Sequence, residues 1–308
     1  MKFPIRLISN ELKIDFLGKR WIAFALSIFL TLATIGSLAT RGLNLGIDFT
    51  GGILIDAKFQ ENPELVKMRT LLKEANVGDV ALQTIGKENN VLIRIGQTSD
   101  DEKARTKVIN DIKTLLEQNF GSVEYRKVDY VGPKVGEELI KAGALALILT
   151  LAAIMVYIWF RFEWQYGLGG IIALIHDAIL TVGFLSITQL QFDLSSIAAI
   201  LTVVGYSIND SVVIFDRIRE NMRKFKKMDF SALLNLSVNE TLSRTIMTAS
   251  TTIVSIIALV MVGGEVVRSF SLTVLFGIVI GTYSSIYIGS PILIYMRLRH
   301  EGEKESRG

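Results

Sequence analysis

An aspartate stands at position 210 within TVVGYSINDSVVIF, a run otherwise suited to hydrocarbon. A carboxylate at the centre of a bilayer span costs about 2.5–3.5 kcal/mol on insertion scales, so a function or a partner must offset it. The chemistry open to such a group is proton carriage. A carboxylate that alternates between a fixed cation and water can load a proton and release it, and arginine is the side chain that stays charged meanwhile. One is available in TLSRTIMTASTTIVS, where Arg244, Thr248, Thr251, Thr252 and Ser255 recur at helical spacing as one polar stripe. The hydroxyls of that stripe would carry ordered water. The candidate proton pathway is therefore Asp210 and Arg244, with Asn209 and Thr248 beside them. Plainer readings compete: an ion pair that glues two helices, or an arginine reaching back to the near membrane surface.

Other polar and small residues lie in apolar surroundings. His176 and Asp177, inside IIALIHDAILTVGF, read either as a secondary polar site or as groups that satisfy neighbours within a bundle. Gly277, Gly281, Ser285 and Gly289 recur every four residues, a ladder that lets another helix backbone approach closely. GIDFTGG, which holds Asp48, Phe49, Thr50, Gly51 and Gly52, is weak as a phosphate cradle because no helix is expected after it. It reads as a tight turn into a strand.

These groups must be positioned by spans. Half of the 308 residues are apolar and the mean hydropathy is +0.43, a composition that excludes an ordinary soluble enzyme. A helical span needs roughly 20 mainly apolar residues. Six windows qualify: Trp21–Thr40, Leu139–Phe160, Tyr166–Ile187, Leu194–Phe215, Thr245–Val262 and Phe270–Met296. The first follows a basic stretch as a signal peptide would, yet its full spanning length predicts a retained anchor. With no cysteine and two separated histidines, neither a disulfide nor a metal site is expected.

Basic residues crowd before the first window (Lys2 to Arg20), after the fourth (Arg217 to Lys227) and after the sixth (Arg297 to Arg307). The positive-inside rule then puts both termini in the cytoplasm. RENMRKFKK reads as part of a basic inner loop, and no nucleic-acid partner is expected. Asp216, Arg217 and Arg219 mark the inner membrane surface.

Between the first two windows the periodicity changes. GGILIDAKF alternates as a strand; NPELVKMRTLLKEANVG reads as a helix with Pro63 at an early position; DVALQTI and VLIRIG are strands joined by a GKENN turn. A second helix follows, with Val108, Ile112, Leu115 and Leu116 on its apolar stripe, and SVEYRKVDYVG closes the unit as a strand. The order β-α-β-β-α-β is that of the ferredoxin-like split unit, a fold that by itself names no activity. The fold class expected is an α-helical polytopic membrane protein: six transmembrane helices and one small α+β ferredoxin-like extracytoplasmic domain. Its expected segments are a cytoplasmic N-terminus (1–20), the first span (21–41), the external domain (42–135), five membrane helices (136–296) with a basic cytoplasmic loop at 216–243, and a tail (297–308).

At these motifs the chain resembles the SecF side of the SecD/SecF family of protein-export membrane proteins, within the resistance–nodulation–division superfamily. The likeness rests on GIDFTGG, RFEW, ALIHDAILTVGF, VGYSINDSVVIFDRIREN, NETLSRTIMTASTT and GTYSSIYIGSP, spread over nearly the whole chain. It implies a bacterial inner-membrane protein paired with SecD, two six-span halves facing each other across a pseudo-two-fold axis. It implies that proton-motive force assists late translocation of unfolded polypeptide. The family's proton-path residues fall on Asp210 and Arg244, and SecD supplies a further aspartate. The implied partners are SecD, the SecYEG channel, YajC and YidC, the exported polypeptide and membrane lipid. No cofactor and no enzymatic activity are implied; the coupling ion is a proton, with sodium suited to the same ligands. Competing readings are a small-molecule or lipid exporter of the superfamily and a non-transporting scaffold. Exporters usually carry two large external domains and both six-span halves in one chain, unlike the pattern here. The orientation is testable: a compartment-specific reporter inserted between Asp100 and Lys103 should be active only outside the cytoplasm. Cytoplasmic activity at that position would reverse the topology.

Overall fold

The computed structural model describes residues 14–75, 77–85, 87–96, 102–262 and 264–296. The chain divides into a membrane unit (14–44, 146–190 and 195–296 of the described residues) and an α/β unit (45–145 and 191–194). Among the described residues, six helices are long and apolar enough to cross a membrane.

The first, α1 (Arg20–Thr40), has 21 residues, about 31 Å at 1.5 Å per residue and so a bilayer's hydrocarbon thickness. The chain continues through β1 (Asn44–Leu45) and α2 (Ile47–Thr50) into the α/β unit proper. There β2 (Gly52–Phe59), α3 (Leu65–Glu74), β3 (Val80–Ile85), β4 (Lys87–Ile95), α4 (Glu102–Phe120) and β5 (Val123–Val131) follow in the expected order. The sheet runs β3-β4-β2-β5, antiparallel throughout, which is the ferredoxin-like arrangement. Its core joins Ile53, Ile55 and Ala57 of β2 to Ile93 and Ile95 of β4, Met68 and Leu72 of α3, and Ile112 and Leu116 of α4.

Two local expectations change. Pro63 precedes the helix instead of opening it, because Glu64 is the extended N-cap of α3. Of the expected GKENN turn, Gly86 lies outside the described residues, and Lys87–Asn90 already belong to β4, with Asn90 opposite Lys58. The side-chain amide of Asn89 donates to the Phe59 carbonyl at 2.9 Å, which holds this polar stretch in the sheet.

From α5 (Pro133–Arg161) the chain enters the membrane unit, followed by α6 (Trp164–Thr188), β6 (Gln191–Phe192, partner of β1), α7 (Leu194–Lys224), α8 (Phe230–Val262) and α9 (Gly264–Ser284). Burial concentrates on α6, α7 and α9; α5 and α8 leave large apolar side chains outward, such as Phe160 at 90% and Met261 at 80% exposure. Such surface suits lipid or a second membrane subunit.

The basic loop expected at 216–243 is mostly helical, with α7 ending at Lys224 and α8 starting at Phe230. The stretch has neither glycine nor proline. Its polar side chains are spent between the helices: Arg217 bridges Glu220 (2.6 Å) and Glu240 (2.7 Å), and the Asn221 amide donates to Glu240 and Ser237. Hydropathy detected only the apolar part of each helix. The sixth span is likewise interrupted. A π-helical turn (Ser285–Gly289) separates α9 from α10 (Ser290–Tyr295), and Ser290 Oγ donates to the carbonyl of Ser285, five residues back. Pro291 supplies no backbone N–H, so the ordinary i→i−4 ladder cannot run unbroken there.

The entry into β2 requires glycine. Gly52 has φ +114, and a Cβ there would lie 2.2 Å from the Ile95 carbonyl oxygen. Gly52→Ala should destabilise the α/β unit by at least about 2–3 kcal/mol, backbone strain and collision together. Gly96→Ala, which meets only ordinary contact at Asp79 Cβ (3.4 Å), should change little. Limited proteolysis of the full chain in membranes reads the difference; equal resistance of the two variants would overturn the assignment.

Candidate functional site

Asp210 sits about halfway along α7 and is 3% exposed. Its Oδ2 is buried and lacks a hydrogen-bond partner among the described residues, as do Ser211 Oγ beside it and Thr245 Oγ1 of α8. Thr245 and Arg244 are the α8 side chains that act on the Asp210 carboxyl. No ion pair within 4.0 Å joins Asp210 to Arg244 among the described residues, and Arg244 is exposed. The pair is thus within electrostatic reach without being locked, a geometry unlike structural glue.

The rest of the expected pathway is placed differently. Asn209 is exposed; one residue along a helix turns the side chain by about 100°, so it cannot share Asp210's inward face. Thr248 Oγ1 donates within its own helix, toward the carbonyls of Arg244 (3.0 Å) and Thr245 (2.9 Å). Thr251, Thr252 and Ser255 also spend their protons on α8 carbonyls. The stripe can accept hydrogen bonds from water, but its donors are engaged. Thr245, passed over in the sequence, is the inward hydroxyl. Its signal was position: 35 residues after Asp210, on the buried side of α8.

His176 and Asp177 form a second polar centre. Asp177 is fully buried; its Oδ2 accepts from Ser207 Oγ of α7 at 2.5 Å and from Ser284 Oγ of α9 at 2.8 Å. Its Oδ1 lies 3.2 Å from His176 Nδ1. One carboxylate therefore ties α6, α7 and α9 together. Neither serine was singled out from the sequence, because a lone serine in an apolar helix carries no periodic signal. Ser207 stands three residues before Asp210 on the same buried face of α7.

The small-residue ladder seats these contacts. A Cβ at Gly277 would strike Val203 of α7 at 2.0 Å, and one at Gly281 would meet Ser207 Cβ at 2.9 Å. Gly289 lies against Ala173 and Gly169 of α6, and Ser285 is buried. The ladder thus divides between two helices of this chain.

The DFTGG segment is a structural joint in the α/β unit. It forms a helical turn rather than the tight turn expected. Asp48 Oδ2 accepts the backbone N–H of Leu194 at 3.0 Å, Thr50 Oγ1 donates toward Gly46 O (3.2 Å), and the Phe49 ring lies 5.4 Å from that of Phe192. Two glycines at positive φ then follow, Gly51 capping α2 and Gly52 starting β2.

Six apolar helices, a ferredoxin-like unit after the first, and carboxylates buried between helices define a polytopic membrane protein with polar chemistry inside its spans. Comparison with known proteins places it more narrowly. Residues 36–62 match the SecD/SecF GG motif, and residues 111–299 match the C-terminal model of the protein export membrane proteins SecD/SecF. Protein translocase subunit SecF of Rickettsia bellii is 51% identical over 292 residues, which is 94% of this chain and 96% of the relative. That of Rickettsia felis is 50% identical over 303 residues, 98% of each. The crystal structure of SecDF, a translocon-associated membrane protein from Thermus thermophilus, superposes with a TM-score of 0.87 at 34% identity, covering 95% of this chain. SecDF in a super-membrane-facing form gives 0.71 at 32% identity over the whole chain. This chain spans 40% and 42% of those two longer polypeptides. The chain belongs to the SecD/SecF family of protein export membrane proteins, among its SecF translocase subunits.

Proposed function

We propose that this subunit couples proton entry to export: with a SecD partner it uses proton-motive force to assist late translocation of unfolded polypeptide across the bacterial inner membrane. One observation carries the reading. Asp210 keeps a buried carboxylate oxygen without a hydrogen-bond partner, faced by Thr245 and within the field of Arg244. The other buried aspartate, Asp177, instead accepts two serine hydroxyls at one oxygen. Asp210 takes up the proton; Arg244 holds the carboxylate when the proton leaves, and the exposed surface beside Arg244 is where the SecD aspartate approaches. The α/β unit faces outside, both termini lie in the cytoplasm, and SecYEG, YajC and YidC complete the assembly. Lipid covers the remaining apolar faces. No nucleic acid, cofactor or enzymatic turnover enters this reading. Sodium is the competing ion, since the same oxygens would hold it.

Late-stage translocation in vesicles tests the assignment. Asp210→Asn keeps shape and hydrogen bonding but cannot titrate, so it should lose the gradient-dependent part of export while the chain stays folded and bound to its partner. Asp210→Glu should retain part of that activity, and Arg244→Lys, which keeps charge without the planar fork, should retain less. A sodium gradient that replaces the proton gradient would change the ion. Full response of Asp210→Asn to the proton gradient would remove Asp210 from the mechanism.

A further inference from the structure

The proposed pathway uses Asp210 and leaves the second buried carboxylate without a role. Asp177 is fully buried at mid-span, and among the described residues no lysine or arginine lies within 4.0 Å of it. Each group facing the pair can be named. Ser207 from α7 and Ser284 from α9 both stand at Oδ2, and Ser284 Oγ also lies 3.1 Å from the Gly281 carbonyl. His176 Nδ1 stands at Oδ1. Tyr283 of α9 tilts beside the imidazole with ring centroids 6.4 Å apart, and Tyr287 of the π-helical turn lies behind it at 5.3 Å. From α1, Ser27 Oγ reaches Tyr283 at 3.0 Å, and the Tyr283 hydroxyl donates to the Ala23 carbonyl at 2.7 Å. The imidazole itself is about nine-tenths buried, and its Nε2 lacks a hydrogen-bond partner among the described residues.

An isolated buried charge is far costlier than a hydrogen-bonded neutral group or a matched ion pair. Two hydroxyl donors stabilise one oxygen of Asp177, yet no lysine or arginine among the described residues pairs with the carboxylate. Electroneutrality is met in two ways, both with one proton on the pair: aspartic acid beside neutral imidazole, or carboxylate beside imidazolium. The proton passes between Oδ1 and Nδ1 across the 3.2 Å contact without changing the charge of the pair. Its departure to water leaves carboxylate and neutral imidazole, a net charge of −1.

We propose that His176 and Asp177 form a second proton-holding site in the membrane unit, separate from Asp210, that exchanges one proton with water. The ligand is the proton, and its seat is the Oδ1–Nδ1 contact. Ser207 and Ser284 hold the carboxylate so that only Oδ1 is free to share it. Since Ser207 precedes Asp210 by three residues on α7, the charge of the pair is transmitted along one helical turn to the groups around Asp210. That last consequence alone rests on the proposed function; the site itself does not.

The chain has two histidines, so His300→Gln leaves His176 as the one imidazole. Nitrogen-15 NMR of that full-length variant, reconstituted in lipid vesicles and labelled in histidine, reads the protonation of Nδ1 and Nε2 separately. We expect Nδ1 to change protonation between about pH 5 and pH 8, the range in which histidine changes charge. That transition should persist when Asp210→Asn is added. Asp177→Asn should shift it by at least about one pH unit, a tenfold change in proton affinity. If Asp177→Asn does not fold, Ser207→Ala serves instead: it removes one donor from Oδ2 and should move the transition in the same experiment. An imidazole that keeps one protonation state throughout that range, or a transition indifferent to both Asp177→Asn and Ser207→Ala, overturns the site. A transition abolished by Asp210→Asn would assign the proton to Asp210 instead. Loss of gradient-driven export in Asp210→Asn with the imidazole transition intact supports both readings, and retained export with that transition intact supports the pair alone.

Discussion

A hydrogen-bonding group inside a hydrocarbon-embedded bundle has no water to fall back on, and this cost organises the membrane unit. Polar side chains on α6, α7 and α9 converge where the helices pack most tightly. The Asp177 carboxylate is the meeting point: it takes serine hydroxyls from two neighbouring helices and an imidazole from its own. That convergence demands close backbones. Gly277 and Gly281 supply them, since even a methyl group at either position would collide with α7. Packing and polar satisfaction are one constraint here, and the register of α7 against α9 follows from it.

Fixing α7 also decides which of its residues face inward. With Ser207 anchored, Asp210 and Ser211 turn toward the interior and Asn209 turns out. Asp177 meets serine hydroxyls at Oδ2 and the imidazole at Oδ1, whereas Oδ2 of Asp210 has no hydrogen-bond partner among the described residues. At the boundary, Arg217, Glu220, Asn221, Ser237 and Glu240 bond to one another on α7 and α8 where both helices continue beyond the apolar stretch.

Much of this was legible in the sequence. The six spans follow from continuous apolar length, and the ferredoxin-like order follows from the switch to alternating and 3.6-residue periods after Gly42. The family likeness rests on runs such as GYSINDS and FDRIREN. What escaped depended on partners distant in the chain. Ser207 and Ser284 acquire meaning only when α6 places Asp177 between them. Asn209 looked equivalent to Asp210 because adjacency in sequence hides a 100° turn. The helical extension through 216–243 was hidden because hydropathy reports the bilayer's edge, not the helix's end. The π-helical turn leaves no periodic trace except Pro291, two residues beyond it.

Proton flow itself is the most direct measure of the account. In vesicles that carry this subunit with a SecD partner and a translocating polypeptide, an imposed proton gradient should decay faster than in protein-free vesicles. With Asp210→Asn in an otherwise intact complex, the decay should return to the protein-free rate. Equal proton entry through the unaltered and Asp210→Asn complexes would contradict the claim that a proton crosses the membrane by way of Asp210.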